Sequence, residues 1–340
     1  MTRFPAPLRP GDTIGVTAPS SGVDAGMRAR LDHNVDWLRR RGYAVRLGEC
    51  LDSEHHVSAP RAARAAELTA MLRDPDVRAV VPPWGGELAI DLLDQLDLDD
   101  LATLDPTWVV GYSDLTTVML PLTTRLGWAT IHGTNLMDTS LAVPDGLAHW
   151  TDVAAAEPGS EIVQRSPGRY RDVGFDDYRG DPGVSRMSLD REGTWTVVGG
   201  GGLDVSGRLV GGCIETLAHL AGTPYGDVAA YGEEHAGDGL VVFLEAAEHG
   251  PFDVARALHG MRLAGWFDQA TAILVGRTRA PDAPGLTQHE AVRDALGMLD
   301  LPIVLDVEVG HAQPQLPLVS GALARVVVDG DRREVVQTLA

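Results

Sequence analysis

This sequence is short of cysteine, of aromatic residues and of positive charge, and each shortage narrows what the chain can be. Cys50 and Cys213 are its only cysteines, too few for a disulfide framework and without the spacing of a zinc site. Lys and Arg number 28 against 48 Asp and Glu, a formal net charge of −20 over 340 residues. Binding to a nucleic-acid backbone needs clustered cations. None are clustered here, so the charge argues against nucleic acid, and against an anionic membrane surface for the same reason. No apolar run reaches the roughly 18 residues of a membrane-spanning helix. The first residues, MTRFPAPLRPGDTIGV, lack the long apolar stretch of a secretory signal. A cytoplasmic protein is the expectation. Hydrophobic residues make up 44%, enough for a substantial core, and the length suits two domains or one large one.

Over residues 1–145 strand-like and helix-like pieces alternate. Short apolar runs at 13–17, 44–47, 77–81, 107–110 and 128–131 predict five strands. The spacing of Leu31, Val35 and Leu38 predicts a helix over 25–41, closed by Gly42. Further helices are predicted over 60–73, which opens on a proline, over 87–96 and over 115–126. Such alternation implies an open parallel sheet with helices on both faces. Sites in these sheets form at the carboxyl ends of the strands. The turns at 19–22, 84–87, 111–114 and 132–135 all lie at those ends.

Residues 146–205 are rich in Gly, Pro, Asp and Arg and show little periodicity. They read as a linker with a mobile loop around 194–196. The run Gly199–Gly202 is not a phosphate-binding loop, because no Gly-Lys-Ser/Thr follows. A second α/β unit is predicted over 206–340. Its strands lie at 208–210, 240–244, 271–275 and 303–309, its helices at 251–263 and 288–299. A terminal hairpin over 323–338 turns at Asp329-Gly330.

The stretch 107–127, TWVVGYSDLTTVMLPLTTRLG, carries the first candidate for chemistry. A strand that stops at Gly111 and restarts as a helix leaves Ser113 standing proud of the sheet edge. The free N–H groups of the helix start then suit a developing negative charge. That is the mechanics of a nucleophile elbow without the usual G-x-S-x-G spelling; a helix N-cap is the plainer role for the same serine. Glu245 and His311 also end apolar runs. A serine needs a base to take its proton, and a carboxylate to hold that base in the right tautomer. Residue types alone leave open whether the three meet.

The segments WVVGYSDLT, LVVFLEAAEHGPFDVARAL and VGHAQPQLPLVSGALARV resemble the serine peptidases of the LD-carboxypeptidase family. So do GDTIGVTAPSSG, the Gly-Gly after the third strand, and GRLVGGCIETLAHLAGTPY, so the likeness runs through nearly the whole chain. It implies a flavodoxin-like N-terminal part and a smaller C-terminal part, with the site between them. It implies Ser113 as nucleophile, Glu245 and His311 as its partners, and the N–H groups of Gly86 and Asp114 as an oxyanion hole. It also implies a cytoplasmic homodimer with neither metal nor other cofactor. The Asp114 side chain is expected to cap the helix or buttress the turn.

One branch of that family trims the terminal D-alanine from muropeptides. Another, the microcin C immunity branch, cuts the acyl-sulfamoyl link between an amino acid or peptide and a nucleoside-like group. The long middle insertion, with Trp195 shortly before GRLVGG, is closer to the second, and implies Trp195 stacking on a base. The substrate is then a small peptide or peptidyl-nucleotide. Gly85, Glu248 and His132 are further candidates to line its pocket. The loop Pro83-Trp84-Gly85-Gly86-Glu87 departs from the family pattern around its glycines, which bears on substrate shape. Two other readings remain open: a binding protein without turnover, and a cysteine amidase using Cys213 with His311.

Overall fold

The computed structural model describes residues 1–52 and 55–340. Five short strands build the first sheet: β1 (Thr13–Val16), β2 (Ala44–Leu47), β3 (Val77–Val80), β4 (Trp108–Gly111) and β5 (Thr130–His132). They lie parallel in the order β2-β1-β3-β4-β5, the doubly wound order whose direction reverses between β1 and β3. β4 is buried throughout and β3 at every residue but Arg78, as a sheet covered by helices on both sides requires. The helix Arg28–Arg40 buries Leu31, Val35 and Leu38 against one face. The helices Arg61–Arg73 and Thr116–Leu126 cover the other.

The remaining strands are β6 (Glu161–Arg165), β7 (Arg169–Tyr170), β8 (Arg191–Glu192), β9 (Thr196–Val197), β10 (Leu203–Cys213), β11 (Leu240–Glu245), β12 (Ala270–Gly276), β13 (Ile303–Val307), β14 (Leu318–Ser320), β15 (Leu323–Asp329) and β16 (Arg332–Thr338). Eight form a second, mixed sheet in the order β6-β16-β15-β10-β11-β12-β13-β9, and β7 pairs with β8 as a ribbon. β15 and β16 make the terminal hairpin, in register from Leu323↔Thr338 to Asp329↔Arg332.

Three features differ from the sequence reading. Residues 146–205 are no free connector, since β6 and β9 close the two edges of the second sheet. β14 leaves the second unit to pair antiparallel with β5 of the first sheet. The chain before it thereby carries residues 310–317 across the gap between the sheets. The helix expected over 87–96 is only a 3₁₀ turn, Ala89–Leu92. The Leu88 and Ala89 N–H groups donate to Ser20 Oγ and Asp114 Oδ2. Among the described residues, no helix is long and apolar enough to cross a membrane.

Candidate active site

β4 ends at Gly111, and Ser113 opens the 3₁₀ turn Ser113–Leu115 that leads into the helix Thr116–Leu126. Its φ of 63° puts a non-glycine residue in the left-handed region, which costs roughly 1–3 kcal/mol and persists where surroundings impose it. Gly85 lies directly against it. A Cβ there would lie 2.7 Å from both Cβ and Oγ of Ser113 and 2.9 Å from the Asp114 nitrogen. Only a glycine lets the loop after β3 approach this closely. Among the described residues, no protein acceptor takes the N–H of Gly86 or of Asp114.

The Asp114 side chain turns away from the opening and is 2% exposed. It accepts from Ser20 Oγ at 2.6 Å, the Ala89 N–H at 2.7 Å and Thr117 Oγ1 at 3.4 Å. One carboxylate thus ties together the loops after β1, β3 and β4. Burial pushes its pKa above the ordinary value, against the pull of those donors.

Glu245 is the last residue of β11 and has no exposed surface. Its Oε2 accepts from His311 Nδ1 at 2.7 Å. That contact fixes the tautomer in which Nε2 is free to accept a proton. Gly310 (φ 95°) lies against the same carboxylate, where a side chain would collide with it. Burial pulls the His311 pKa down, but the Glu245 charge and hydrogen bond outweigh it and leave the pKa raised. In Glu245, burial pushes up and the His311 charge and hydrogen bond win, leaving the carboxyl below its ordinary value. The Tyr112 ring packs edge-on to the His311 ring, centroids 4.9 Å apart.

Ser113 and His311 together line two cavities. The larger, about 650 Å³, is walled by Trp84, Gly85, Gly86, Phe175, Tyr178 and Arg179 among others. Phe175 is 43% exposed, with the Arg279 guanidinium 4.6 Å above its ring. Tyr178 donates to Asp138 and lies 4.2 Å from the Arg30 guanidinium. The smaller cavity, about 360 Å³, is bounded by Glu87, Glu215, Glu248, His219, His249 and Cys213. Its lining contains no arginine, and the sequence contains no lysine. Burial and the neighbouring carboxylates Asp114, Glu248 and Glu215 raise the Glu87 pKa. Glu215 Oε1 also accepts the N–H groups of Glu248 at 2.6 Å and His249 at 2.5 Å, which fixes the chamber's rim. Among the described residues, no three His, Cys, Asp or Glu side chains are grouped to hold a metal ion.

Two expected pocket residues lie elsewhere. Trp195 is 2% exposed and packs into the core of the second sheet with Leu209, Leu274 and Val307. Its indole N–H donates to Glu308 Oε2 at 2.6 Å. The pairing of β9 with β13 holds the residue before β9 over the sheet, so Trp195 offers no face to either cavity. His132 is 1% exposed and lines neither. It sits behind the site, between Tyr112 and Phe243. Gly85 lines the larger cavity and Glu248 the smaller. Sequence reasoning missed Phe175, Tyr178 and Arg179. Their one signal was an aromatic pair in the acidic segment DVGFDDYRGD, whose fold follows from no local period. It also missed Glu215, brought to Glu248 by the parallel pairing of β10 with β11, and Glu87, brought to both by the meeting of the two sheets.

Residues 14–133 match the model of the LD-carboxypeptidase N-terminal domain, and residues 206–326 match that of the C-terminal domain. A protein of Bacillus subtilis named as a probable murein peptide carboxypeptidase is 24% identical over 335 residues, covering 94% of this chain and 90% of the relative. The Escherichia coli microcin C7 self-immunity protein MccF is 22% identical over 337 residues, covering 97% and 94%. Its solved structure with aspartyl sulfamoyl adenosine superposes with a TM-score of 0.82 over 98% of both chains. The muramoyltetrapeptide carboxypeptidase of Oxalobacter formigenes gives 0.68 at 22% identity, over 96% of this chain and 98% of that one. The two matched segments are those that carry the serine turn and the Glu–His pair, and on them the chain belongs to the LD-carboxypeptidase family.

Proposed function

We propose that this protein is a serine hydrolase that cleaves an aminoacyl- or peptidyl-sulfamoyl nucleotide of the microcin C type through Ser113, His311 and Glu245. The observation that carries the reading is the 2.7 Å contact between His311 Nδ1 and buried Glu245 Oε2, with Ser113 and His311 on the walls of the same two cavities. His311 Nε2 takes the Ser113 proton as Oγ attacks the acyl carbonyl. The N–H groups of Gly86 and Asp114 receive the oxyanion, each such donor worth about 3 kcal/mol of barrier. His311 then gives its proton to the leaving nitrogen, water attacks the acyl-serine, and the acid departs. Glu245 stays ionised throughout and stabilises the imidazolium.

The two cavities suit the two halves of such a substrate. The larger, with Phe175 and Tyr178 on its wall, suits a flat heterocycle, since stacking holds any base. The acidic chamber suits the α-ammonium group of the acyl half. MccF, which resembles this chain, has been solved with aspartyl sulfamoyl adenosine and with glutamyl sulfamoyl guanosine. Release of a terminal D-alanine from a muropeptide is the second reading, favoured by the likeness to the muramoyltetrapeptide carboxypeptidase. The acidic chamber then holds the side-chain ammonium of the diamino acid. A paired assay decides between them: an aminoacyl-sulfamoyl adenosine against a muropeptide tetrapeptide, with the parent and Ser113→Ala. Cleavage of the first alone, lost by several orders of magnitude in the variant, supports the main reading. Cleavage of the second alone supports the other. Undiminished cleavage by the variant refutes Ser113 as nucleophile.

A further inference from the structure

Beside the His311–Glu245 pair, both ring nitrogens of His132 and Glu245 Oε1 are buried with no hydrogen-bond partner of ordinary geometry. His132 is 1% exposed and Glu245 has no exposed surface. A buried polar atom left unpaired costs roughly 1–3 kcal/mol, so the two residues call for a shared partner. A buried water needs two to four polar neighbours, and these two supply the minimum.

His132 is held at one spot. It ends β5, paired with Gly111 of β4 on one side and Leu318 of β14 on the other. Its ring packs edge-on to Phe243 at 5.2 Å. Phe243 and Glu245 are two residues apart on β11, so their side chains share one face of the second sheet. Tyr112 touches both histidines edge-on, His132 at 6.3 Å and His311 at 4.9 Å. His132 therefore reaches from the first sheet toward the face of the second that carries Phe243 and Glu245.

We propose that His132 is a positioning residue for the His311–Glu245 pair, holding Glu245 Oε1 through a buried water. Burial lowers the His132 pKa to about 4, so the ring stays neutral at physiological pH, with one nitrogen donating and the other accepting. A carboxylate tethered at both oxygens presents Oε2 to His311 in one orientation. The competing donor is the Cys213 thiol. It interacts with the Glu245 carboxylate as well as with Glu215 Oε2, the latter at 3.7 Å, and a thiol is a weak donor. The proposal rests on the triad reading, so its test has one readout that needs no substrate.

That readout is the proton on His311 Nδ1, followed by NMR in the full chain labelled with ¹⁵N-histidine. His132→Phe keeps the ring shape and removes both nitrogens; it shifts or broadens that resonance. His132→Gln restores a donor and an acceptor and returns the resonance, and Cys213→Ala leaves it in place. With whichever substrate the parent cleaves, His132→Phe lowers kcat by on the order of 10- to 100-fold with KM unchanged, the cost of a misaimed catalytic group, and His132→Gln recovers most of it. An unmoved resonance and unchanged kcat in His132→Phe overturn the proposal, as does a resonance that follows Cys213→Ala instead. Should His132→Phe not fold, a crystal structure of the parent decides: density for a water within hydrogen-bond reach of His132 and Glu245 Oε1 supports the proposal, and its absence there refutes it. A resonance that responds in a protein that cleaves neither substrate keeps the positioning role and removes the hydrolase reading.

Discussion

Gly85 and Ser113 are in such close contact that a single added methyl on Gly85 would sit 2.7 Å from the serine oxygen. The loop after β3 and the turn after β4 are therefore in direct contact at the left-handed residue Ser113. Gly85→Ala is expected to displace the serine and its neighbouring donors together. A misplacement of about 1 Å costs on the order of 100-fold in turnover, while the buried cores on either side of the sheet are untouched. Steady-state kinetics beside a thermal melt checks this; a variant with parental kcat would show that the loop yields without moving Ser113.

The raised pKa of His311 sets a pH dependence. Only neutral His311 can take the serine proton, so kcat/KM is expected to fall on the acid side at a pH above the ordinary histidine value of about 6.5. Glu245→Gln removes the charge that raises it, moving that limb to lower pH while reducing the maximum. Stability runs the other way. A histidine pKa raised on folding stabilises fully below the unfolded value of about 6.5 and loses that contribution as pH rises through the folded value. The lowered Glu245 pKa adds stability above about 4.5, lost as pH falls through its folded value. The pair is thus most stabilising in mildly acid solution, where His311 is protonated and the proposed base is lost. A pH series of melts beside the kinetic profile tests both signs.

The acidic chamber predicts a charge preference. Glu248→Gln and Glu87→Gln should each raise KM about two- to fivefold for a substrate with a free α-ammonium group, the scale of an exposed charge contact. The N-acetylated form of that substrate should not respond. Equal effects on both forms would remove the ammonium assignment.

Trp195 and Phe175 should separate cleanly. Trp195→Phe leaves Glu308, 1% exposed, without its indole donor. About 1–3 kcal/mol of stability is expected to go with it, read in denaturant unfolding, while KM stays unchanged. Phe175→Ala is expected to raise KM for a nucleotide substrate about 10-fold, one stacking contact, with a small change in stability because the residue lies outside the buried cores. A rise in KM for Trp195→Phe would return that residue to the site.

Most of this architecture is written in local periodicity. Alternating short apolar runs and helical stripes announce a parallel sheet, and the helix over Pro251–Leu263 and the hairpin over 323–338 can be read from spacing and turn residues alone. Ser113, Glu245 and His311 stand out because each polar residue follows an apolar strand, a signal confined to a few neighbouring positions. The destinations of Trp195 and His132 are not local. An indole or an imidazole in a loop reads the same whether it faces a ligand or a core. The pairing of β9 with β13 and of β5 with β14, made across more than 100 residues, decides which. Likewise Glu87, Glu215 and Glu248 are three separate acids in the chain and one charged chamber only in space, since the packing of the two sheets is a long-range event that no window of sequence records.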